Sequence, residues 1–120
     1  MSEEPGDGVG EVGSVLGALA DPTRRRLLDL LAAQDAATAT TLAQWLPVSR
    51  QAIVKHLAVL DSAGLVVSCR VGREVRYSLR PAGLDATTRW MSSLAADWDR
   101  RLAAVKRLAE AAEAAERDST

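Results

Sequence analysis

The 120 residues of the chain suit a single domain, and a composition that is 48% apolar without any Phe favours a helical core built from Leu, Val, Ile and Ala. The chain has one cysteine, Cys69, and one histidine, His56, which excludes an internal disulfide and a zinc ribbon. No apolar run approaches the roughly 18 residues of a membrane span, so we expect a cytoplasmic protein without membrane contact. The formal charge of −1 hides an uneven distribution, because residues 1–21 carry five acidic and no basic side chains, whereas residues 41–80 carry six basic and two acidic ones. That basic segment is typical of a surface that neutralises phosphate groups, although a solvated surface explains the charge alone equally well.

The first third of the chain predicts an acidic, glycine-rich disordered tail over residues 1–10 and then two helices. From Glu11 onward, apolar residues at i, i+3, i+4 and i+7 form an amphipathic stripe that consists of Val12, Val15, Leu16 and Leu19. Asp21 before Pro22 is a helix-start signal, because Asp caps a helix and Pro suits its first turn. We therefore expect one helix that ends near Asp21 and a second that runs to about Gln34.

The next segment predicts a helix-turn-helix unit. The residues from Thr38 to Thr41 are of capping type, and the short helix that they precede contains Leu42 and Leu46 and is halted by Pro47. A second helix begins after the capping residue Ser49 and ends at Gly64. The buried stripe of the second helix consists of Ile53, Leu57 and Leu60. The residues left mainly on its outer side are Ser49, Arg50, Gln51, Val54 and Lys55.

A hairpin follows, in which residues 65–70 and 74–80 alternate between apolar and polar side chains around a turn at residues 71–73. Cys69 alternates in phase with Leu65 and Val67, so we expect a buried, inert thiol; a redox switch at the base of the hairpin is the alternative. A hairpin placed directly after a helix-turn-helix is a wing. The sequence thus predicts a mainly α fold with a two-stranded β-hairpin wing, a winged helix-turn-helix.

The last part of the chain predicts a long helix with one apolar seam. Side chains repeat there at alternating spacings of four and three, and the seam consists of Leu84, Thr88, Met91, Ala95, Trp98, Leu102, Val105, Ala109 and Ala112. Such a seam needs a partner helix, which an identical subunit most commonly supplies; packing onto the first helix of the same chain is the alternative. We expect one domain over residues 11–115 and a short C-terminal tail over residues 116–120.

Three segments in this order resemble the ArsR family of bacterial winged-helix repressors: residues 18–25, residues 49–66 and residues 70–79. The resemblance implies a homodimer that places a recognition helix from each subunit, the second helix of the helix-turn-helix, in successive major grooves of double-stranded DNA. The binding site that it implies is an imperfect palindromic operator, and the protein's own promoter is one expected location. The resemblance also implies that a small-molecule inducer relieves repression. The interface residues that it implies on the first and last helices are Val12, Val15, Leu16, Leu19, Met91, Ala95, Trp98, Leu102 and Val105.

Metal sensors of that family carry a Cys-rich motif in the first helix of the helix-turn-helix. Here residues 41–46 hold no thiolate, and the terminal helix has no histidine. One Cys and one His cannot form a soft-metal site. The chain therefore resembles the metal-independent branch, and we expect neither a metal nor a cofactor.

Several side chains are predicted to contact DNA. Arg50 suits guanine and Gln51 suits adenine, whereas Ser49 either caps the helix or meets a phosphate. Val54, where the family more often has a small hydroxyl residue, either touches a thymine methyl group or packs inward. Lys55 contacts phosphate.

Two interpretations apply to several other basic residues. His56 either meets phosphate or packs beside the wing, and Arg24 to Arg26 either approach the DNA backbone or remain solvated. On the wing, phosphate or minor-groove contacts are predicted for Arg70, Arg73 and Arg76.

Rival functions stay open at this point. A dimeric winged-helix module for protein–protein contacts has no need of basic side chains on this surface. A regulator that responds to a small molecule near Trp90 and Trp98, or to oxidation of Cys69, is compatible with DNA binding. An enzyme is not expected, because one His and one Cys without a Gly-rich phosphate loop form no catalytic constellation.

Overall fold

The computed structural model describes residues 7–119, with side chains from residue 11 onward, and the chain divides after Thr87 into two units. Residues 1–6 of the predicted tail and Thr120 lie outside the described residues. The elements in chain order are α1 (Asp7–Leu19), α2 (Pro22–Ala33), β1 (Ala37–Thr38), α3 (Ala39–Ala43), α4 (Arg50–Ser62), β2 (Val66–Val71), β3 (Glu74–Leu79), a short 3-10 helix (Pro81–Leu84) and α5 (Asp85–Ser119). The predicted winged helix-turn-helix is confirmed, with one additional strand.

Side-chain caps fix where the helices of the first unit begin. The Asp21 carboxylate accepts a hydrogen bond from the Arg24 backbone N–H at 3.0 Å, as the Asp-Pro signal predicts. The Ser49 hydroxyl accepts from the Ala52 backbone N–H at 3.1 Å and starts α4 where it was predicted. At the other end of α4, Gly64 has a φ of 78°, which glycine adopts readily.

Helix α3 lies earlier in the chain than predicted. The Thr38 hydroxyl accepts a hydrogen bond from the Thr41 backbone N–H at 3.1 Å, so the helix starts at Ala39. It ends at Ala43, well before Pro47, and Leu46 is nevertheless buried in the turn that follows. The prediction of a cap within Thr38 to Thr41 is confirmed, whereas the prediction that Pro47 ends the helix is wrong.

One apolar core joins the helices to the base of the sheet. Its fully buried members, which come from α1, α2, α3, α4 and the start of β2, are Val15, Leu27, Leu31, Leu42, Ile53, Leu57, Leu60 and Val66. Ile53, Leu57 and Leu60 are all 0% exposed, so the predicted buried stripe of α4 is confirmed. This stripe fixes the rotation of α4 about its axis and thereby the side chains that it presents to solvent.

The sheet has three antiparallel strands in the order β1-β3-β2, whereas the sequence predicted two. The additional strand is only two residues long and pairs Ala37 with Tyr77 and Thr38 with Arg76. It leads directly into α3, so the strand ties the start of the helix-turn-helix to the wing. A two-residue strand leaves no alternating pattern, which is why the sequence did not reveal it.

The prediction that Cys69 is buried is wrong. Cys69 is exposed and Val67 is 41% exposed, whereas Val66 is 1% exposed. The core lies on the Val66 side of β2, opposite to the predicted phase, and only the first residue of the strand reaches it. Leu65 is also buried, because it lies in the corner between α4 and β2, and that second buried residue misled the assignment of phase.

The 3-10 helix packs tightly against the end of α4. A Cβ atom on Gly83 would lie 2.0 Å from the carbonyl oxygen of Gly64, so this close approach requires glycine.

The second unit consists of the α5 residues that follow Thr87. The large apolar side chains of this segment are exposed in the single chain, among them Met91 at 54%, Trp98 at 52% and Leu102 at 62%. Helix α1 begins at Asp7 and α5 ends at Ser119, so helix extends into both segments that were predicted as tails. The residues near the end of α5 are mostly Ala, Glu and Arg, which are strong helix formers.

Candidate nucleic-acid interface

Helix α4 presents a polar face at its N-terminal end. With Ile53 buried and Ser49 engaged as the cap, the side chains of Arg50, Gln51 and Lys55 are exposed. Val54 is 36% exposed, so it faces outward rather than into the core. The first two turns of α4 therefore offer side chains to a ligand at no cost to the packing of the core.

The outward face of α4 forms one wall of a groove of about 540 Å³ that lies between the helix-turn-helix and the wing. Its lining residues are Thr38, Ala39, Thr40, Thr41, Arg50, Val54, Arg73, Glu74, Val75 and Tyr77. Arg50 and Arg73 thus lie on opposite elements of one groove, although 23 positions separate them in the sequence. Of the predicted contact residues, the groove brings together these two arginines and Val54.

Thr40 is a member of this surface that sequence reasoning missed. Its hydroxyl accepts a hydrogen bond from Arg50 Nε at 3.2 Å, which holds the guanidinium against the start of α3. The sequence analysis interpreted the segment from Thr38 to Thr41 only as capping residues. Thr38 and Thr41 do serve in the cap, whereas Thr40 is exposed and contacts α4.

The wing arginines differ in their surroundings. Arg73 follows Gly72, whose φ of 63° makes the turn, and within the described part of the chain its side chain has no ion-pair partner. Arg76 donates two hydrogen bonds to Glu74, at 3.1 and 3.3 Å, so its charge is already matched. Arg70 is exposed on β2 opposite Val75. Within the described residues, Arg73 and Arg70 are therefore available to a polyanion, whereas Arg76 is already paired.

His56 packs at the corner between α1 and α2 and not beside the wing. Its Nδ1 atom lies 3.3 Å from an Arg24 guanidinium nitrogen and 3.9 Å from Asp21 Oδ2. The hydrogen bond from the Arg24 backbone N–H lowers the pKa of the Asp21 carboxyl below 3.8, and the charges of His56 and Arg24 lower it further, while partial desolvation acts in the opposite direction. These contacts tie the recognition helix to the start of α2.

Two arginines of α2 close the end of α1, a role that the sequence analysis did not assign to them. Arg24 donates to the carbonyl oxygens of Ala18 at 2.7 Å and Gly17 at 3.2 Å, and Arg25 donates to that of Leu19 at 2.6 Å. The last carbonyls of a helix lack partners within the helix, and cationic side chains satisfy them well. Arg24 and Arg25, which follow the Asp-Pro signal closely in the sequence, are the features that could have predicted this role.

The predicted interface residues fall into two groups. On α1, Val12 and Val15 are buried within the single chain, Leu19 is half-buried, and Leu16 is 39% exposed. On α5, Met91, Ala95, Trp98, Leu102 and Val105 are all exposed. The assignment of both groups to a subunit interface stays a prediction.

Within residues 7–119, no three His, Cys, Asp or Glu side chains lie together in a way that could hold a metal ion. In the same part of the chain, no helix is both long and apolar enough to cross a bilayer.

A capped recognition helix, a groove lined by arginines and a wing beside it define a winged helix-turn-helix DNA-binding regulator. A family model described as a helix-turn-helix domain matches residues 19–69. The chain is 37% identical over 78 residues to the transcriptional repressor SdpR of Bacillus subtilis, a match that covers 65% of this chain and 86% of SdpR. It is 46% identical over 69 residues to the regulator Rv2034 of Mycobacterium tuberculosis, across 58% of this chain and 64% of that protein.

A solved structure of an ArsR-like transcriptional regulator from Rhodococcus sp. RHA1 is 48% identical and superposes with a TM-score of 0.74, over 83% of this chain and 93% of that one. The chain belongs to the ArsR family of transcriptional regulators. The named relatives are repressors and regulators, in agreement with the expectation that the chain is not an enzyme.

Proposed function

We propose that the protein is a homodimeric repressor that binds an imperfect palindromic operator in double-stranded DNA, its own promoter included, without a metal ion. The observation that carries the proposal is the groove between α4 and the wing, which Arg50 and Arg73 line together. In this proposal, Arg50 and Gln51 read guanine and adenine in the major groove, while Lys55 and Arg73 contact phosphates. Val54 faces outward, which supports its contact with a thymine methyl group.

The proposed contacts differ in how free each side chain is. The Ser49 hydroxyl is occupied as the cap of α4. Arg76 contacts a phosphate only if its ion pair with Glu74 is broken. His56 supports the recognition helix through Arg24 and does not itself contact DNA in this proposal. Arg70 is exposed and supplies a further phosphate contact from β2.

Dimerisation through α5 is supported by the exposure of its seam. Trp98, Leu102 and Val105 are between 52% and 62% exposed in the single chain, and large apolar side chains in such a row normally pack against a partner. Two copies related by a two-fold axis would bury the same seam on both helices. Such a dimer carries two recognition helices and therefore suits a palindrome.

The absence of a metal requirement is supported by the residues of α3 and α5. Helix α3 consists of Ala, Thr and Leu, and α5 has neither Cys nor His among its residues. Soft metals bind to several thiolate or imidazole ligands, which these two helices do not offer, and in this proposal repression responds to something other than a soft metal.

The experiment that tests the proposal is a fluorescence-anisotropy titration of the protein on its own upstream DNA, at about 50 and 200 mM salt, with and without a chelator. Six phosphate contacts, three from each subunit, predict a loss of about 10³-fold in affinity between the two salt concentrations. The chelator is expected to change nothing. An intact dimer that fails to bind this DNA, or binds it only when metal is supplied, would contradict the proposal, and failure to bind any selected DNA would favour a protein–protein module.

A second candidate, an oxidation-responsive regulator, is favoured by one observation, the exposure of Cys69 on the wing. Treatment with peroxide, followed by the same titration, tests it: oxidation that lowers operator affinity in the wild type and not in Cys69→Ser supports a redox response. Equal affinity before and after oxidation excludes it.

A further inference from the structure

A second groove lies in the first unit, away from the proposed DNA-binding surface. It has a volume of about 530 Å³ and lies between α2, the end of α1 and the segment that joins β3 to α5. Volumes of about 300 to 1,000 Å³ are typical of small-molecule sites. Half of its ten lining residues are leucines: Leu19, Leu28 and Leu79 are half-buried, Leu65 is buried at 2% exposure, and Leu84 is 41% exposed.

Few charged side chains line this groove, and their charges do not sum to zero. Arg25 and Arg80 contribute two positive charges, whereas Asp29 contributes one negative charge. Arg25 is held in place by the hydrogen bond that it donates to the Leu19 carbonyl oxygen, and its guanidinium carries further N–H donors. Across residues 7–119, the Arg80 side chain has no hydrogen bond or ion pair. The site therefore has one positive charge in excess beside an apolar wall.

We propose that this groove binds a small amphipathic monocarboxylate, with its apolar body against the leucines and its carboxylate on Arg80 and Arg25. A guanidinium pairs with a carboxylate through two parallel hydrogen bonds, which gives the site its preference for that group. Asp29 disfavours ligands that carry two negative charges. No helix terminus or metal ion is needed for recognition.

A ligand in this groove is expected to affect the proposed DNA-binding surface through α2 and β3, whose residues line the groove. Helix α2 carries Arg24, which contacts His56 on the recognition helix, and β3 is the central strand of the sheet that includes the wing. A ligand that shifts α2 against β3 therefore changes how α4 and the wing are set relative to each other. This regulatory step rests on the proposed function, whereas binding of the carboxylate does not.

The test uses the full chain and two probes, sodium decanoate below its micelle-forming concentration and decan-1-ol, measured by isothermal titration calorimetry. Decanoate is expected to bind the wild type about 10-fold more tightly than the alcohol, because only the acid forms the charged hydrogen bonds. Arg80→Gln is expected to reduce this difference, because only Arg25 is left to pair with the carboxylate, and to leave the affinity for the alcohol unchanged. Arg26 is an exposed arginine of α2 that does not line the groove, so Arg26→Gln is the matched control and should keep the full preference.

A variant that fills the groove separates the outcomes further. Ala32→Leu, at an exposed lining position, is expected to weaken both probes while the far-ultraviolet circular dichroism and the oligomeric state remain those of the wild type. Failure of decanoate to bind, or equal affinities in wild type and Arg80→Gln, would overturn the proposal. Loss of the dimer in Ala32→Leu would assign the groove to a subunit contact and would also overturn it.

The regulatory step is tested separately on DNA. Decanoate at a concentration that just saturates the wild type is expected to lower its operator affinity and to have a smaller effect on Arg80→Gln, which binds the probe more weakly. Decanoate that binds without changing operator affinity leaves a site with no regulatory role. A protein that binds decanoate and no DNA would contradict the proposed function alone.

Discussion

Arg50 and Arg73 line one groove, but the physical roles proposed for them differ. Arg50 lies in the first turn of α4 and is held by Thr40, as a side chain that reads a base edge should be. Arg50→Ala is expected to weaken operator binding by about 10-fold or more, because a bidentate contact to guanine contributes about 1–3 kcal/mol of discrimination. Binding to unrelated DNA should change much less, and anisotropy titrations on both DNAs measure the ratio. Thr40→Val should show a smaller loss of the same kind.

Arg73 is expected to act on every DNA sequence alike. It lies at the turn of the wing, where a phosphate contact adds affinity without sequence preference. Arg73→Gln should lower affinity for operator and unrelated DNA by the same factor, and it should reduce the salt slope by about 1 for each contact that is lost. Arg107→Gln on α5 serves as a control of equal charge. A loss confined to the operator would assign Arg73 to base reading instead.

Asp21 gives the fold a defined dependence on acid. Its pKa is lower in the folded chain than its ordinary value of 3.8, first because the carboxylate accepts the hydrogen bond from the Arg24 backbone N–H. The charged form is therefore favoured by folding, so this stabilisation is fully present above pH 3.8 and is lost as the pH falls through the lowered pKa. Asp21→Asn keeps a side-chain acceptor and removes the charge.

We expect the free energy of unfolding of Asp21→Asn, measured by urea denaturation from about pH 5 to pH 2, to depend less on pH than that of the wild type. Asp35→Asn, in the exposed loop after α2, should retain the wild-type dependence. If the free energy of unfolding changes with pH equally in Asp21→Asn and in the wild type, the charge of Asp21 does not contribute to stability.

At the scale of the elements, the capping signals predicted where helices begin, whereas the short alternating pattern did not predict the strands correctly. The Asp-Pro pair and the Ser49 cap gave correct helix starts, because a capping hydrogen bond depends only on neighbouring residues. The phase of β2 depends on which face of the strand meets the core, and the existence of β1 depends on its pairing with β3; a short local pattern encodes neither. The exposed Cys69 follows from that difference.

The seam of α5 leads to a prediction about assembly. Leu102→Asp introduces a charge into the proposed interface twice, once from each subunit, and each lost leucine removes about 1.5–3 kcal/mol of burial. The dimer dissociation constant should therefore rise by about 100-fold or more, as measured by light scattering over a dilution series. Ala96→Asp, about 200° around the helix from Trp98, should leave the dimer intact. Equal effects of both substitutions would contradict an interface along this seam.

For the molecule as a whole, the sequence predicted which face of α4 is outward, since the buried stripe alone decides it. It did not predict which distant residues meet there. The contact of Thr40 with Arg50 and that of Arg24 with His56 join elements whose relative placement is set by the core, and only the structure reveals them. These two contacts change the interpretation of the site: Arg50 is preorganised, and His56 acts as a support.

The spacing of the operator tests the whole assembly. Two recognition helices related by a two-fold axis contact successive major grooves, so the centres of the half-sites should lie about 10–10.5 base pairs apart. An insertion of about 5 base pairs between them rotates one half-site to the opposite face of the duplex, and affinity should fall to that of an isolated half-site. Substitution of the central base pairs at constant length, the control, should have a much smaller effect. Because a monomer contacts one half-site only, an affinity that is indifferent to the insertion would mean that each chain binds DNA alone, whatever its state of association in solution.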